Sequence, residues 1–364
     1  MNNQLGQQLK LQLFGESHGP YIGVTICGLA AGLRIDKEFI TNQLKNRRPQ
    51  FSFNTSRIEE DNFQIISGIH QDLTTGAPLT ILIVNENKQS DDYSRVAGIM
   101  RPGHADYPAY IKYGGFNDIN GGGVFSGRLT AALTAAGAIA YKILTLKGFL
   151  IGTHIHQVGN IVDTYDEINL TSLIKENLYQ PFVVYNPAIR KQMEELINDI
   201  TAKEDSLGAI LETNVLNLPV GIGEPFFSGL KGAIAQAIFA LPGIKGLEFG
   251  CGFSLVNLLG SQFNDGLYYN SSRQVQTKTN YNGGINGGLS NGQSLSFKTA
   301  VRPPSSINKV QNTIDVKSLS NITHQITGRH DSFIANRVAT VINNVLAFVL
   351  LDLCTIQFGR DWMK

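Results

Sequence analysis

The densest group of reactive side chains is the run Arg101-Pro102-Gly103-His104-Ala105-Asp106, an arginine, a histidine and a carboxylate inside one short loop. Titratable groups packed beside Pro and Gly in a loop point to binding or acid–base chemistry more than to packing. A second histidine, His18, lies before a glycine in Gly15-Glu16-Ser17-His18-Gly19. That pentapeptide has the G-x-S-x-G spacing of a hydrolase nucleophile elbow, with Ser17 as nucleophile. Context speaks against the elbow, which must join a central strand to a helix, because residues 22–28 read as another strand. An open turn carrying His18 suits a general acid or an ordinary turn histidine.

Basic residues also meet expected helix ends. Residues 122–129 read GGVFSGRL, with P-loop-like glycine spacing but Arg128 for the lysine and Leu129 for the residue that would hold magnesium, which argues against a Walker NTPase. What survives is the physics. Ser126, Gly127 and Arg128 open an expected helix, whose free N–H groups and positive dipole end favour an anion. Thr327-Gly328-Arg329-His330-Asp331 does the same before a second apolar helix. Arg47-Arg48-Pro49 ends another helix and reads equally as a solvated turn or a phosphate clamp. His154 and His156 would share one face of a strand as two metal ligands do, but no third ligand lies nearby in sequence, so they read as strand histidines and no metal is expected.

The elements that must position these groups follow from periodicity. Residues 9–14, 22–28, 63–69, 79–84, 149–156, 209–216, 248–256 and 295–301 alternate or run apolar between breakers and read as strands. Asp36 can cap a helix over 37–47, Asn186 or Pro187 one over 188–203, and 230–240 gives a short amphipathic one. Residues 128–146 are Ala-rich with small side chains on every face, and 334–354 are nearly all apolar, the pattern of helices buried on all sides. The order lacks a strict βαβ rhythm, so the expected fold is α+β, with helices enclosed by sheets, in one domain over 1–364.

Composition narrows the function classes. The 364 residues hold 30 Lys+Arg against 29 Asp+Glu, a net charge of +1, too balanced for a broad nucleic-acid or acidic-lipid surface. Only 16% are charged, against roughly 25% in a typical domain, which hints that subunit contacts cover part of the surface. Cys27, Cys251 and Cys354 form no CxxC pair, so neither a disulfide framework nor a structural zinc site is indicated. No apolar run reaches the ~18 residues of a membrane span, and residues 1–10 lack a signal core. A soluble, cytoplasmic chain is expected.

Taken together, these segments resemble chorismate synthase over nearly the whole chain. The resemblance rests on FGESHG at 14–19, RRP at 47–49, RPGHADY at 101–107, the glycines and SGR of 121–128, and TGRHD at 327–331. It is reinforced by TTGAP at 74–78, EDSLG at 204–208, GEP at 223–225, KGLEFG at 245–250, GGINGGLSNG at 283–292 and RPPSSI at 302–307. The resemblance implies elimination of phosphate from 5-enolpyruvylshikimate 3-phosphate, using reduced FMN without net redox change, with NADPH as a reductant if the enzyme reduces its own flavin. It implies a layered sandwich with long helices between two antiparallel sheets, assembled as a homotetramer. By the same resemblance His18, His104 and Asp331 are catalytic, and Arg47, Arg48, Arg101, Arg128 and Arg329 bind substrate. Ser126, Pro242, Gly243, Gly288, Arg302, Pro303, Pro304, Ser305, Ser306 and Arg329 would hold the flavin. Nucleic-acid and membrane partners are not expected. Departures from the family pattern fall at Phe53, Ile58, Asn120, Val124, Arg302, Pro304, Ser332, Phe333 and Asn343, and the alternative they leave is a homologue that binds a flavin or phosphometabolite without catalysis.

Overall fold

The computed structural model describes residues 3–55, 59–86, 98–328 and 330–364. Alternating apolar side chains build two five-stranded antiparallel sheets. One runs in the spatial order Gln4–Leu5, Lys10–Gly15, Tyr21–Cys27, Leu79–Val84, Phe63–Ser67. The other runs Ile244–Phe249, Leu295–Val301, Ala209–Leu216, Leu150–Val158, Ile161–Val162. Leu79, Ile81 and Ile83 face inward from the first sheet, and Leu295, Phe297, Thr299 and Val301 from the second.

Helices Thr130–Leu146 and Ala335–Phe358 lie side by side between the sheets, the first against the amino-terminal sheet and the second against the other. Small residues permit this crossing. A Cβ at Gly137 would stand 2.3 Å from the Asn344 carbonyl oxygen, so the two helix backbones meet where only glycine fits. Asn344 is fully buried and donates to Gln43 Oε1 at 2.9 Å, anchoring helix Lys37–Arg47 against the pair. Farther along, buried Asp352 accepts the backbone N–H groups of Gln7, Gln8 and Leu9 at 2.8, 2.9 and 2.7 Å, which ties the amino-terminal segment to the helix. The fold is the expected α+β layered sandwich of long buried helices between antiparallel sheets.

Several expectations need correction. Residues 127–146 and 335–358 form helices long and apolar enough to cross a bilayer, although most of each is buried inside the sandwich. The strand expected over 248–256 is displaced to Ile244–Phe249, because Gly250 and Gly252 take positive φ and turn the chain into the 3-10 segment Gly252–Asn257. Helix Asp106–Tyr113 was not anticipated. It buries only Ala109, so it carries no apolar period to read. Hairpin Val310–Asp315/Ser320–Gln325 was also missed; its pairing with Ile99 and the Met100 N–H pins the start of the loop at 101–105.

Candidate active site

A cleft of about 510 Å³ opens where the amino-terminal ends of both central helices meet the loop at 101–105 and the turn at 302–306. Its size suits a cofactor together with a small substrate. Among the described residues six arginines line it (Arg47, Arg48, Arg101, Arg128, Arg302 and Arg337) against five carboxylates, Glu59, Asp61, Asp106, Asp118 and Asp331.

The glycine turn at 121–123 and the helix start behind it form one wall. Gly121, Gly122 and Gly123 all have positive φ, which brings the backbone of the turn close to the FGESHG loop. Ser126 caps the following turn by accepting the Arg128 N–H at 3.3 Å, and Thr130–Leu146 continues from it. The Arg128 side chain folds back into the protein. Its guanidinium pairs with Asp61, donates to Asn85 Oδ1 at 3.0 Å and lies 3.7 Å from Glu59 Oε2. Arg47 meets the same carboxylate, with Nη1 3.3 Å from Asp61 Oδ2, and donates to Thr130 Oγ1 at 2.9 Å and the Gly127 carbonyl at 3.0 Å. Burial pushes the Arg47 pKa down to about 10, opposed by Asp61, so it remains a cation at neutral pH. Asp61 thus holds two buried arginines at the cleft wall.

The facing wall carries the loop histidine. Asp106 receives Arg101 bidentately, at 2.7 Å from Nε and 2.9 Å from Nη2. Burial works to raise the Asp106 pKa, but the hydrogen bonds and charge of Arg101 prevail and hold it below the usual carboxylate range. His104 is fixed at both ring nitrogens, Nδ1 3.1 Å from the Pro102 carbonyl and Nε2 2.9 Å from Ser306 Oγ. A carbonyl can only accept, so Nδ1 carries the proton and Nε2 accepts from Ser306. Burial first, then the Arg101 charge, lowers the His104 pKa. Arg302 donates to the carbonyls of Gly103 at 2.7 Å and Pro303 at 3.1 Å, and among the described residues it has no carboxylate partner.

Asp331 stands at the start of the carboxy-terminal helix. Both of its oxygens receive Arg337 Nη1, at 3.0 and 2.9 Å, and Oδ1 also accepts the Thr55 N–H at 2.9 Å. Arg337 in turn donates to the Arg47 carbonyl at 3.0 Å, joining the two walls. His330 lines the cleft with its buried Nε2 lacking a hydrogen-bond partner among the described residues, and burial lowers its pKa.

Of the residues singled out in the sequence, the cleft gathers His104, Asp331, Arg47, Arg48, Arg101, Arg128, Ser126, Pro242, Gly243, Arg302, Pro304, Ser305 and Ser306. His18 stands one layer back: a Cβ on Gly121 would fall 2.5 Å from its Cδ2, so the ring packs directly behind the cleft-lining glycine. Pro303 is exposed beside the lining turn. Gly288 lies elsewhere, its carbonyl accepting the Leu230 N–H at 2.8 Å. Arg329 and Ile58 fall outside the described residues. Ser17 is buried and followed by strand Tyr21–Cys27 and not by a helix, so the serine-hydrolase reading is not favoured. Sequence reasoning missed Asp61, Arg337 and His330. Only His330, inside TGRHD, had a motif to mark it.

The departures have local partners. Phe53 is buried in an aromatic cluster with Phe51, Phe182 and Phe333. Asn120 donates to Asp118 Oδ1 at 2.8 Å, and Asn343 accepts from Thr153 Oγ1 at 2.6 Å.

A layered α+β fold with histidines, paired arginines and helix N-termini around one cleft defines an enzyme that handles a small anionic metabolite. The family model for chorismate synthase matches residues 9–355. A chorismate synthase of Dehalococcoides mccartyi is 41% identical over 355 residues, covering 97% of this chain and 96% of that protein. One from Sulfolobus acidocaldarius is 40% identical over 351 residues, 96% of this chain and 89% of that protein. A crystal structure of chorismate synthase superposes with a TM-score of 0.75 at 25% identity, covering 98% of this chain and 94% of the other. The chain belongs to the chorismate synthase family, whose members are carbon–oxygen lyases.

Proposed function

We propose that this chain converts 5-enolpyruvylshikimate 3-phosphate to chorismate and inorganic phosphate by 1,4-anti elimination, with reduced FMN bound in the cleft. The observation that carries the reading is convergence: RRP, RPGHADY, the SGR turn, RPPSS and the residues after TGR are far apart in sequence yet line one space of about 510 Å³. The cleft suits a flavin. Leu241, Pro242, Ile334, Val338 and Val341 offer an apolar wall for a ring system, the hydroxyls of Ser305 and Ser306 and the Arg302 guanidinium offer polar anchors, and the orphaned His330 Nε2 is a free ring nitrogen beside it. Reduced FMN, when bound, would lend electron density that helps an allylic phosphate depart and recover it at the end, so no net redox change results.

The protein residues divide the remaining work. Arg48 and Arg302 hold the charge least spent on internal carboxylates and would draw the substrate's phosphate and carboxylates, with Arg47, Arg101, Arg128 and Arg329 completing the clamp. His18, behind the glycines of the turn, would pass a proton to the departing phosphate. His104 would hold or release a proton next to the flavin, its ring set by Pro102 and Ser306. Asp331, oriented by Arg337, would serve the proton traffic on the opposite side. The cytoplasm, a homotetramer and NADPH as reductant complete the reading. A flavin contact from Gly288, remote from this cleft, would then come from another subunit.

The test is an anaerobic assay with chemically reduced FMN and the enolpyruvyl substrate, following phosphate and chorismate together. Equimolar release is expected. Flavin binding without turnover would refute the catalytic reading.

A further inference from the structure

We propose that His154, His156 and Glu212 form a binding site for a divalent transition metal, with Zn²⁺ as its natural probe, on the face of the second sheet turned away from the central helices. The sequence offered two histidines and no third ligand; the sheet supplies it. Glu212 lies on the neighbouring strand, directly opposite His154. An irregularity in the pairing at Ile210/Leu211 leaves His156 as the extra residue on its strand, which lets its ring join the pair. Glu212 Oε2 is 3.3 Å from His156 Nδ1 and 3.9 Å from His154 Nε2, and one ligand atom from each residue lies within 4.8 Å of the others. Ligands bonded to zinc at about 2.0–2.2 Å in a tetrahedron stand about 3.3–3.6 Å apart, so modest ring rotations would close this set.

The second observation is that the site is unsatisfied. His154 has no exposed surface, yet among the described residues neither of its ring nitrogens, nor Nδ1 of His156, makes a hydrogen bond of good geometry, the Glu212 and Asp163 backbones being the polar groups beside the two rings. Burying such nitrogens without well-placed partners is costly, and a metal would satisfy one on each ring. Everything around them holds the ligands ready. Tyr165 donates to the other Glu212 oxygen at 3.1 Å, leaving Oε2 toward the histidines, and Tyr185 stacks on His154 at 4.4 Å. Asp163 Oδ2, 4.0 Å from His154 Nε2, adds a second carboxylate. Imidazole donors favour zinc, copper or nickel over magnesium or calcium. His156 and Glu212 keep 15% and 12% of their side chains exposed, which leaves an entry path.

Thr153 and Thr213, the neighbours in the strands, face the opposite way, toward Asn343 of the central helix, and none of the three ligands lines the active-site cleft. The metal is therefore structural and independent of the flavin chemistry. The test is titration of chelator-stripped full-length protein with Zn²⁺ against a chromophoric indicator, and with Co²⁺ for ligand-field absorption. One equivalent per chain is expected, with affinity about a hundredfold weaker in Glu212→Gln and in His156→Ala, while elimination turnover stays within twofold of the parent. Absence of stoichiometric binding in the parent, or unchanged affinity in either variant, overturns the site. Glu212→Gln keeps volume and the Tyr165 contact, so it reports binding even if a histidine variant folds poorly.

Discussion

Replacing Asp61 by Asn tests whether the cleft wall is built on one shared carboxylate. The side chains of Arg47 and Arg128 are 6% exposed and that of Asp61 only 1%, so the charges pair with little water between them. Breaking a buried pair by removing one partner costs about 3–5 kcal/mol, because the other charge stays buried and uncompensated; here two arginines share the loss, with Glu59 as the remaining carboxylate near Arg128. With an unfolding entropy of about 2.1 cal/mol/K per residue, a chain of 364 residues loses about 4–7 °C in Tm for that penalty. The same change leaves the cleft richer by one positive charge. Millimolar inorganic phosphate should therefore raise the Tm of Asp61→Asn more than that of the parent, since an anion in the cleft takes over part of the lost compensation. Differential scanning calorimetry of both proteins with and without phosphate reads both effects. A Tm shift below about 1 °C, or equal stabilisation of the two proteins by phosphate, would refute the reasoning that Asp61 is the counter-charge of the wall.

His104→Ala should reduce turnover by roughly 10² to 10⁴ with folding intact by circular dichroism. Because burial and Arg101 hold the His104 pKa below 6.5, against the opposing pull of Asp106, the folded state binds fewer protons there than the unfolded chain; the histidine's contribution to stability is therefore present above pH 6.5 and lost as pH falls below it, and the variant should show a shallower acid slope in denaturant titrations. Gly121→Ala puts a methyl within 2.5 Å of the His18 ring at φ 59, which should cost roughly 1–2 kcal/mol in stability and, by displacing His18, about a hundredfold in kcat; near-parental turnover would separate His18 from the reaction.

How far the sequence carries depends on whether a feature repeats or is assembled. The buried helices were legible because every face of 128–146 and 334–354 is small or apolar, and Asp36 and Asn186 cap helices as their residue types suggest, Asp36 accepting the Phe39 N–H at 2.9 Å. The strand at Ile244–Phe249 was misplaced because the apolar residues beyond it, Phe253 and Val256, are exposed on a 3-10 turn, and hydrophobicity alone cannot tell an outward-facing apolar residue from a paired one. The arginine side of the cleft was legible because each arginine sits beside Gly, Pro or a helix start. Its carboxylate side was not: Asp61 comes from an irregular segment, at positive φ, and acquires its meaning only when the chain brings Arg47 and Arg128 to it from either side. Glu212 has the same history, an unremarked strand residue until pairing sets it opposite His154.

That asymmetry changes how the charge balance should be read. A chain of net charge +1 with six arginines around one cleft suggests a local pool of positive charge, yet five carboxylates line the same space, so by count the described wall is only slightly positive. What distinguishes the arginines is the quality of their pairing. Arg47 and Arg128 are held by buried Asp61, Arg101 by a bidentate Asp106, and Arg337 by both oxygens of Asp331, and each of these pairs orients a guanidinium more than it attracts an anion. Among the described residues Arg302 donates to carbonyls and to no carboxylate, and Arg48 pairs with Glu60, whose side chain is 61% exposed and therefore screens it weakly. Among the described residues the least compensated field thus stands at two points, against a frame of paired charges. A substrate whose phosphate and carboxylates are set apart on one ring is better discriminated by two fixed points than by a diffuse cationic surface, since the arginines already paired attract a bare polyanion less.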